Sequence, residues 1–114
     1  MTGIFAGLCG FWGMAGGALA AHAVKDPHAA AMVKTSANYA LLHGIVLLCW
    51  PAEDKIALAA KACFAAGTFL FSGALAVKYL CGAAGAGIFA PAGGSLLMLG
   101  WLVVCARAAM RRPA

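Results

Sequence analysis

Charged residues in this chain come in short clusters, and the runs between them are uncharged over residues 1–24, 35–52, 62–77 and 79–106. A bilayer core of roughly 30 Å is crossed by about 20 mostly apolar residues of helix, and an ionisable side chain at mid-depth costs a few kcal/mol. The pattern therefore predicts four transmembrane helices, over about residues 2–24, 28–50, 56–80 and 89–108, forming one all-α membrane bundle across residues 1–114. Lys25-Asp26-Pro27 supplies an N-cap acid and then a first-turn proline. The second helix should thus begin at once and pair with the first as an antiparallel hairpin. Glu53-Asp54-Lys55 makes the next turn, and a Gly/Ala-rich connection over 81–87 leads to Pro91, which suits the first turn of the fourth helix.

Composition agrees with the pattern. Only 10% of the residues are charged and 65% are hydrophobic, against about 25% charged in soluble domains. Four spans use up most of 114 residues, so the sequence leaves no room for a soluble nucleotide-binding unit or a long lid. Ala18-Leu19-Ala20 followed by Ala21 imitates a signal-peptide cleavage site, but no Lys or Arg precedes the apolar run, and glycines recur through it as in a packed helix. The first span is expected to be retained. The five cysteines (Cys9, Cys49, Cys63, Cys81 and Cys105) show no paired short spacing and read as small apolar residues, not as a disulfide framework.

The net charge of +5 comes from basic residues at the edges of the spans. It suits anionic headgroups, and no basic face interleaved with aromatics points to nucleic acid. One side of the membrane collects Lys55, Lys61, Arg107, Arg111 and Arg112 and the other Lys25, Lys34 and Lys78, which by the positive-inside rule places both termini in the cytoplasm. Glycines at four-residue spacing, Gly3/Gly7 and Gly13/Gly17, let another backbone approach closely. With Gly73, Gly93 and Gly94 they are the expected helix-packing positions. Trp12, Trp50 and Trp101 read as interfacial or packing anchors.

Four local patterns carry a family likeness together. They are Gly17-Ala18-Leu19-Ala20-Ala21-His22, Asn38-Tyr39 with His43, Phe69-Leu70-Phe71-Ser72-Gly73, and Pro91-Ala92-Gly93-Gly94 followed by Gly100-Trp101. As an ordered set they resemble the small bacterial inner-membrane proteins of domain of unknown function 423, also called UPF0382. The resemblance implies a multi-pass membrane fold in a bacterial inner membrane and brings no established activity. The chain departs from that pattern at Ala20, Ala40, Ala74, Ala76 and Ala90. Small apolar side chains stand there in place of glycine or polar residues, so several polar atoms are lost.

The candidate chemistry is sparse. Asp26, Glu53 and Asp54 are the only carboxylates, and all three belong in turns, so the buried acid of a proton-coupled exporter is missing. In a simple hairpin His22 lies ~6 Å and His43 ~25 Å from the turn along the axis. The two histidines therefore do not share a metal or haem, and no cofactor is expected. Cys9, His43 and Cys63 come to one level, where a soft metal site is the sharper reading and packing the plainer one. At the other end His22, Asn38, Ser72, Lys78 and Ser95 reach similar depth, with Gly93-Gly94 opening room beside them. Tyr39 and His43, four residues apart, share a helix face. These residues make a candidate polar pocket of His22, Asn38, Tyr39, His43, Ser72 and Lys78. It reads either as an interhelical hydrogen-bond network or as a site for a small ligand or lipid headgroup. Ser72 lacks a base and an orienting group, so no enzyme is expected. Membrane lipids, a second copy of the chain or other membrane proteins are the expected partners. The expected role is a scaffold or accessory subunit, with a small-solute carrier or channel as the alternative.

Overall fold

The computed structural model describes residues 2–111; Arg112, counted above among the basic residues of one side, lies outside the described residues. Four α-helices follow one another: α1 (Thr2–His22), α2 (Pro27–Cys49), α3 (Lys55–Cys81) and α4 (Phe89–Met110), with a short 3-10 helix at Ala84–Ile88 before the last. Each is long and apolar enough to cross a membrane. The molecule measures 54 × 24 × 23 Å, long enough to span a bilayer with its headgroup regions.

Helix ends follow from local chemistry. The Asp26 carboxylate accepts the Ala29 N–H at 2.8 Å while Pro27 opens α2, and the Asp54 carboxylate accepts the Ala57 N–H at 3.2 Å to start α3. The first helix stops at His22, two residues short of the expected bound, because the N–H groups of Ala23 and Val24 both turn back to the Leu19 carbonyl. Gly82 ends α3 at φ 74, a left-handed conformation that costs glycine nothing.

The architecture is two hairpins side by side. Helix α1 packs along α2 and α4 along α3, and a smaller α2–α3 contact joins the pairs. Close approach within each hairpin depends on missing side chains. A Cβ at Gly13 would stand 2.7 Å from that of Leu41, and one at Gly44 2.8 Å from that of Cys9. Across α3 and α4 a Cβ at Gly93 would collide with the Phe71 backbone and the Gly67 carbonyl. All four helices meet in one core cluster of Ala6, Leu47, Ala60, Phe64 and Leu97.

Candidate functional site

The most buried polar groups lie on the seam between the hairpins. Ser36 of α2 and Ser72 of α3 exchange bonds reciprocally. The Ser36 hydroxyl donates to the Ser72 carbonyl at 2.7 Å, and the Ser72 hydroxyl donates to the Ser36 carbonyl at 2.8 Å. A third helix joins because the Trp12 indole N–H of α1 donates to the Ser36 oxygen at 2.9 Å. Both serines are buried, and each hydroxyl thus has a partner where lipid offers none.

His43 is the second polar crossing. It is 3% exposed and packs against the Phe64 and Trp101 rings. The Trp101 indole N–H donates to its Nε2 at 3.1 Å, while Nδ1 lies 2.8 Å from the Tyr39 carbonyl. An indole can only donate, so Nε2 accepts and the proton sits on Nδ1, donated to Tyr39. Both ring nitrogens are occupied, which leaves neither lone pair for a metal. Cys9 packs against Gly44 and Cys63 against Gly100, and among the described residues no group of three or more His, Cys, Asp or Glu side chains could hold a metal ion.

The six residues expected to form one polar pocket are distributed over separate places. Ser72 and His43 are buried in the two hydrogen-bonded crossings just described. Tyr39 is half-exposed and stacks its ring on Phe71 at 5.0 Å. Asn38 is exposed and lines a shallow groove of about 300 Å³ with Gly17 and Lys34, and His22 is exposed at the end of α1. Lys78 folds over the Tyr79 ring and against Gly87, while Tyr79 and His28 form their own edge-to-face pair. Ser95 donates back to the Pro91 carbonyl on its own helix. The structure thus places Ser72 and His43 in two separate crossings and His22, Asn38, Tyr39 and Lys78 around them. The direction of each side chain around its helix was not readable in the sequence.

Glycine roles are redistributed in the same way. Gly13 and Gly93 lie in close helix contacts, whereas a Cβ at Gly17 or Gly73 would meet nothing within 4 Å and one at Gly94 would make ordinary contact with Phe71. Gly16, Gly44, Gly67 and Gly100 are the other close-contact glycines. Ser36, Trp12 and Trp101 are the polar participants that sequence reasoning passed over. The signal available for Trp12 and Trp101 was chemical, since an indole N–H at bilayer depth needs an acceptor.

At the end that holds α2's C-terminus and α3's N-terminus, one carboxylate organises the charges. Asp54 accepts from Arg107 Nε at 2.9 Å and Nη2 at 2.6 Å, with Arg111 at 3.4 Å. The guanidinium of Arg107 and the ammonium of Lys61 lie over the Trp50 ring, at 5.6 and 5.7 Å from its centre. The hydrogen bonds from Arg107 hold the Asp54 carboxyl well below the usual carboxylate range, and its cap bond from Ala57 adds to this.

Two apolar grooves open toward the lipid. One of about 360 Å³ lies between α1 and α3, walled by Phe5, Trp12, Thr68 and Phe69 and floored by Ala40. A second of about 410 Å³ shares Phe69 and Gly73 with it and runs on toward Val77 and Phe89. Within this fold, the segments carrying the likeness noted in the sequence meet one another. Tyr39 lies on Phe71, Ser72 bonds α2, and the Phe71 backbone crosses Gly93.

The family model described as "Protein of unknown function (DUF423)" matches residues 16–94, more than half of the chain. No curated protein and no solved structure matches. The matched segment runs from the last turns of α1 into the second turn of α4 and includes Ser36, His43 and Ser72, while Trp12 and Trp101 fall on either side of it. By that match the chain, a membrane-embedded four-helix bundle, belongs to the DUF423 family of proteins of unknown function.

Proposed function

We propose that this protein is a non-enzymatic scaffold or accessory subunit of the bacterial inner membrane, associating with itself or with other membrane proteins, with both termini in the cytoplasm. One observation carries the reading: Ser36, Ser72 and His43, at the seam between the hairpins, are spent on hydrogen bonds within the bundle. The Ser72 hydroxyl is donated to a backbone carbonyl and both nitrogens of His43 are taken. Neither is poised beside a partner for nucleophilic or acid–base chemistry, and neither lines a polar route through the bilayer. Outside that seam, large apolar side chains such as Ile4, Phe11, Phe69 and Leu102 are exposed. They need lipid or the helices of a partner.

Native mass spectrometry of the protein released from mild detergent, paired with solute flux in sealed liposomes, tests this. The expected result is a retained protein mass, a second copy or another membrane protein, with no saturable flux above empty liposomes. Saturable flux would overturn the proposal in favour of a small-solute carrier. For the termini, a C-terminal fluorescent fusion that matures only in the cytoplasm should be bright.

A further inference from the structure

Lys61 is half-buried and held in place without an acid opposite it. Its ammonium donates to the Ala52 carbonyl at 2.7 Å and lies over the Trp50 ring, 5.7 Å from the centre. Among the described residues it makes no other hydrogen bond, and the ion pairs are those of Asp54 with Arg107 and Arg111. An ammonium has three N–H donors, so Lys61 keeps free donors and an unmatched charge. Helix α3 is 27 residues long, or ~40 Å, which reaches from headgroups to headgroups. Ala52 lies in the turn before α3, so the bond to its carbonyl draws the ammonium up from the edge of the hydrocarbon to the level of lipid phosphates.

Toward the bilayer centre an apolar cleft opens beneath that ammonium. Lys61 is the one charged residue lining a groove of about 200 Å³, whose other walls are Phe5, Leu47, Leu58, Ala62 and Ala65. Phe5 also lines the groove of about 360 Å³ between α1 and α3, so the two run on as one cleft. It exists because α1 packs along α2 and not along α3. On α3 the lining residues recur at every third or fourth position from Leu58 to Ala76, a single helix face ~27 Å long. That exceeds the ~15 Å of one hydrocarbon leaflet. Below Lys61 the lining offers little to a polar ligand, since the Ser72 hydroxyl and the Trp12 indole are engaged with α2 and the Thr68 oxygen is buried. A positive mouth above a long apolar floor fits a molecule with a negative head and a hydrocarbon tail. A partner helix apolar enough for the cleft would leave the ammonium unanswered. We propose that the cleft is a site for one anionic phospholipid of the leaflet at the α2–α3 turn, its phosphate accepting from the free N–H groups of Lys61 and one acyl chain running past Phe5 and Ala65 toward Phe69. A headgroup that carries its own cation competes with Lys61 for the phosphate, so a net negative one is preferred.

The test is a titration of the full chain in mild detergent with phosphatidylglycerol and, separately, with phosphatidylcholine of identical acyl chains, read by native mass spectrometry. The wild type should take up one phosphatidylglycerol saturably and about fivefold more tightly than phosphatidylcholine, the worth of one lysine beside an anionic lipid. Lys61→Gln keeps a donor for Ala52 and should bring phosphatidylglycerol down to the affinity of phosphatidylcholine, which itself should hardly change. Lys55→Gln removes a charge at the same end, on an exposed residue outside the cleft, and should leave the preference in place. Ala62→Phe, at an exposed position of the cleft wall, should weaken binding of both lipids without lowering the melting temperature of the lipid-free protein. Equal affinity of the wild type for the two lipids would overturn the proposal. So would equal losses in Lys55→Gln and Lys61→Gln, which would assign the preference to the basic end as a whole. Lipid binding unchanged in Ala62→Phe would put the lipid elsewhere on the surface, and a dimer that Ala62→Phe dissolves would give the cleft to a second copy; either result also overturns it.

Discussion

Ser36 is the residue on which most depends, because its hydroxyl both donates to α3 and accepts from the Trp12 of α1. Ser36→Ala removes two interhelical bonds and leaves an indole N–H unpartnered, whereas Ser72→Ala removes one. Interhelical bonds in membranes average about 0.6 kcal/mol and reach about 1.7. The expected losses are therefore ~1–3 kcal/mol for Ser36→Ala and ~0.5–1.5 for Ser72→Ala, in that order, measured by reversible unfolding in mixed micelles. Equal losses would mean that the Trp12 contact contributes nothing. Ser36 was hard to recognise in the sequence. It stands among Lys34, Thr35 and Asn38 at the amphipathic start of the second span, where a serine looks like one more surface group. Only its direction into the α3 face, where it is fully buried, sets it apart.

At the scale of elements, the apolar run lengths and charge clusters decided the helices, and Asp26-Pro27 decided where α2 starts, because both signals are local. Which glycines matter was not local. Helix α1 carries glycines around much of its circumference, and a sequence cannot tell the stripe that meets α2 from the one that meets lipid. Gly13 and Gly16 turned out to be the contact face, and Gly17 with Gly3, Gly7 and Gly10 the open one. A Cβ at Gly93 would meet backbone on α3, which cannot swing aside as a side chain can. Gly93→Ala should then force α4 away from α3 at a cost of about 1–3 kcal/mol, the usual range for overpacking. Gly17→Ala should stay within about 0.5 kcal/mol of the parent. Thermal unfolding of the two variants side by side checks the contrast.

At the scale of the whole molecule, Asp54 ties the start of α3 to the end of α4. Its carboxyl is held below the ordinary range by Arg107, so it is a group of depressed folded-state pKa. The stability it contributes is fully present above the unfolded value near 3.8 and is lost as pH falls from there through the lower folded value. Melting temperatures should be flat from neutral pH down to about 5 and then fall, and the fall should shrink in Asp54→Asn, which keeps a capping side chain but no charge. Asp54→Ala, losing cap and ion pair together, should melt lower than Asp54→Asn at pH 7. The same view of the molecule brings out a property of the two polar crossings that neither has alone. Ser36 and His43 are seven residues apart on α2, which sets the crossings ~10 Å apart along the axis, one reaching α3 and the other α4. A single pin between two hairpins is a pivot, and two pins at different heights are a brace. Rocking one hairpin against the other, the motion by which repeats alternate access in many carriers, would have to break one bond or the other in a medium that offers no substitute. The molecule is built to hold a shape.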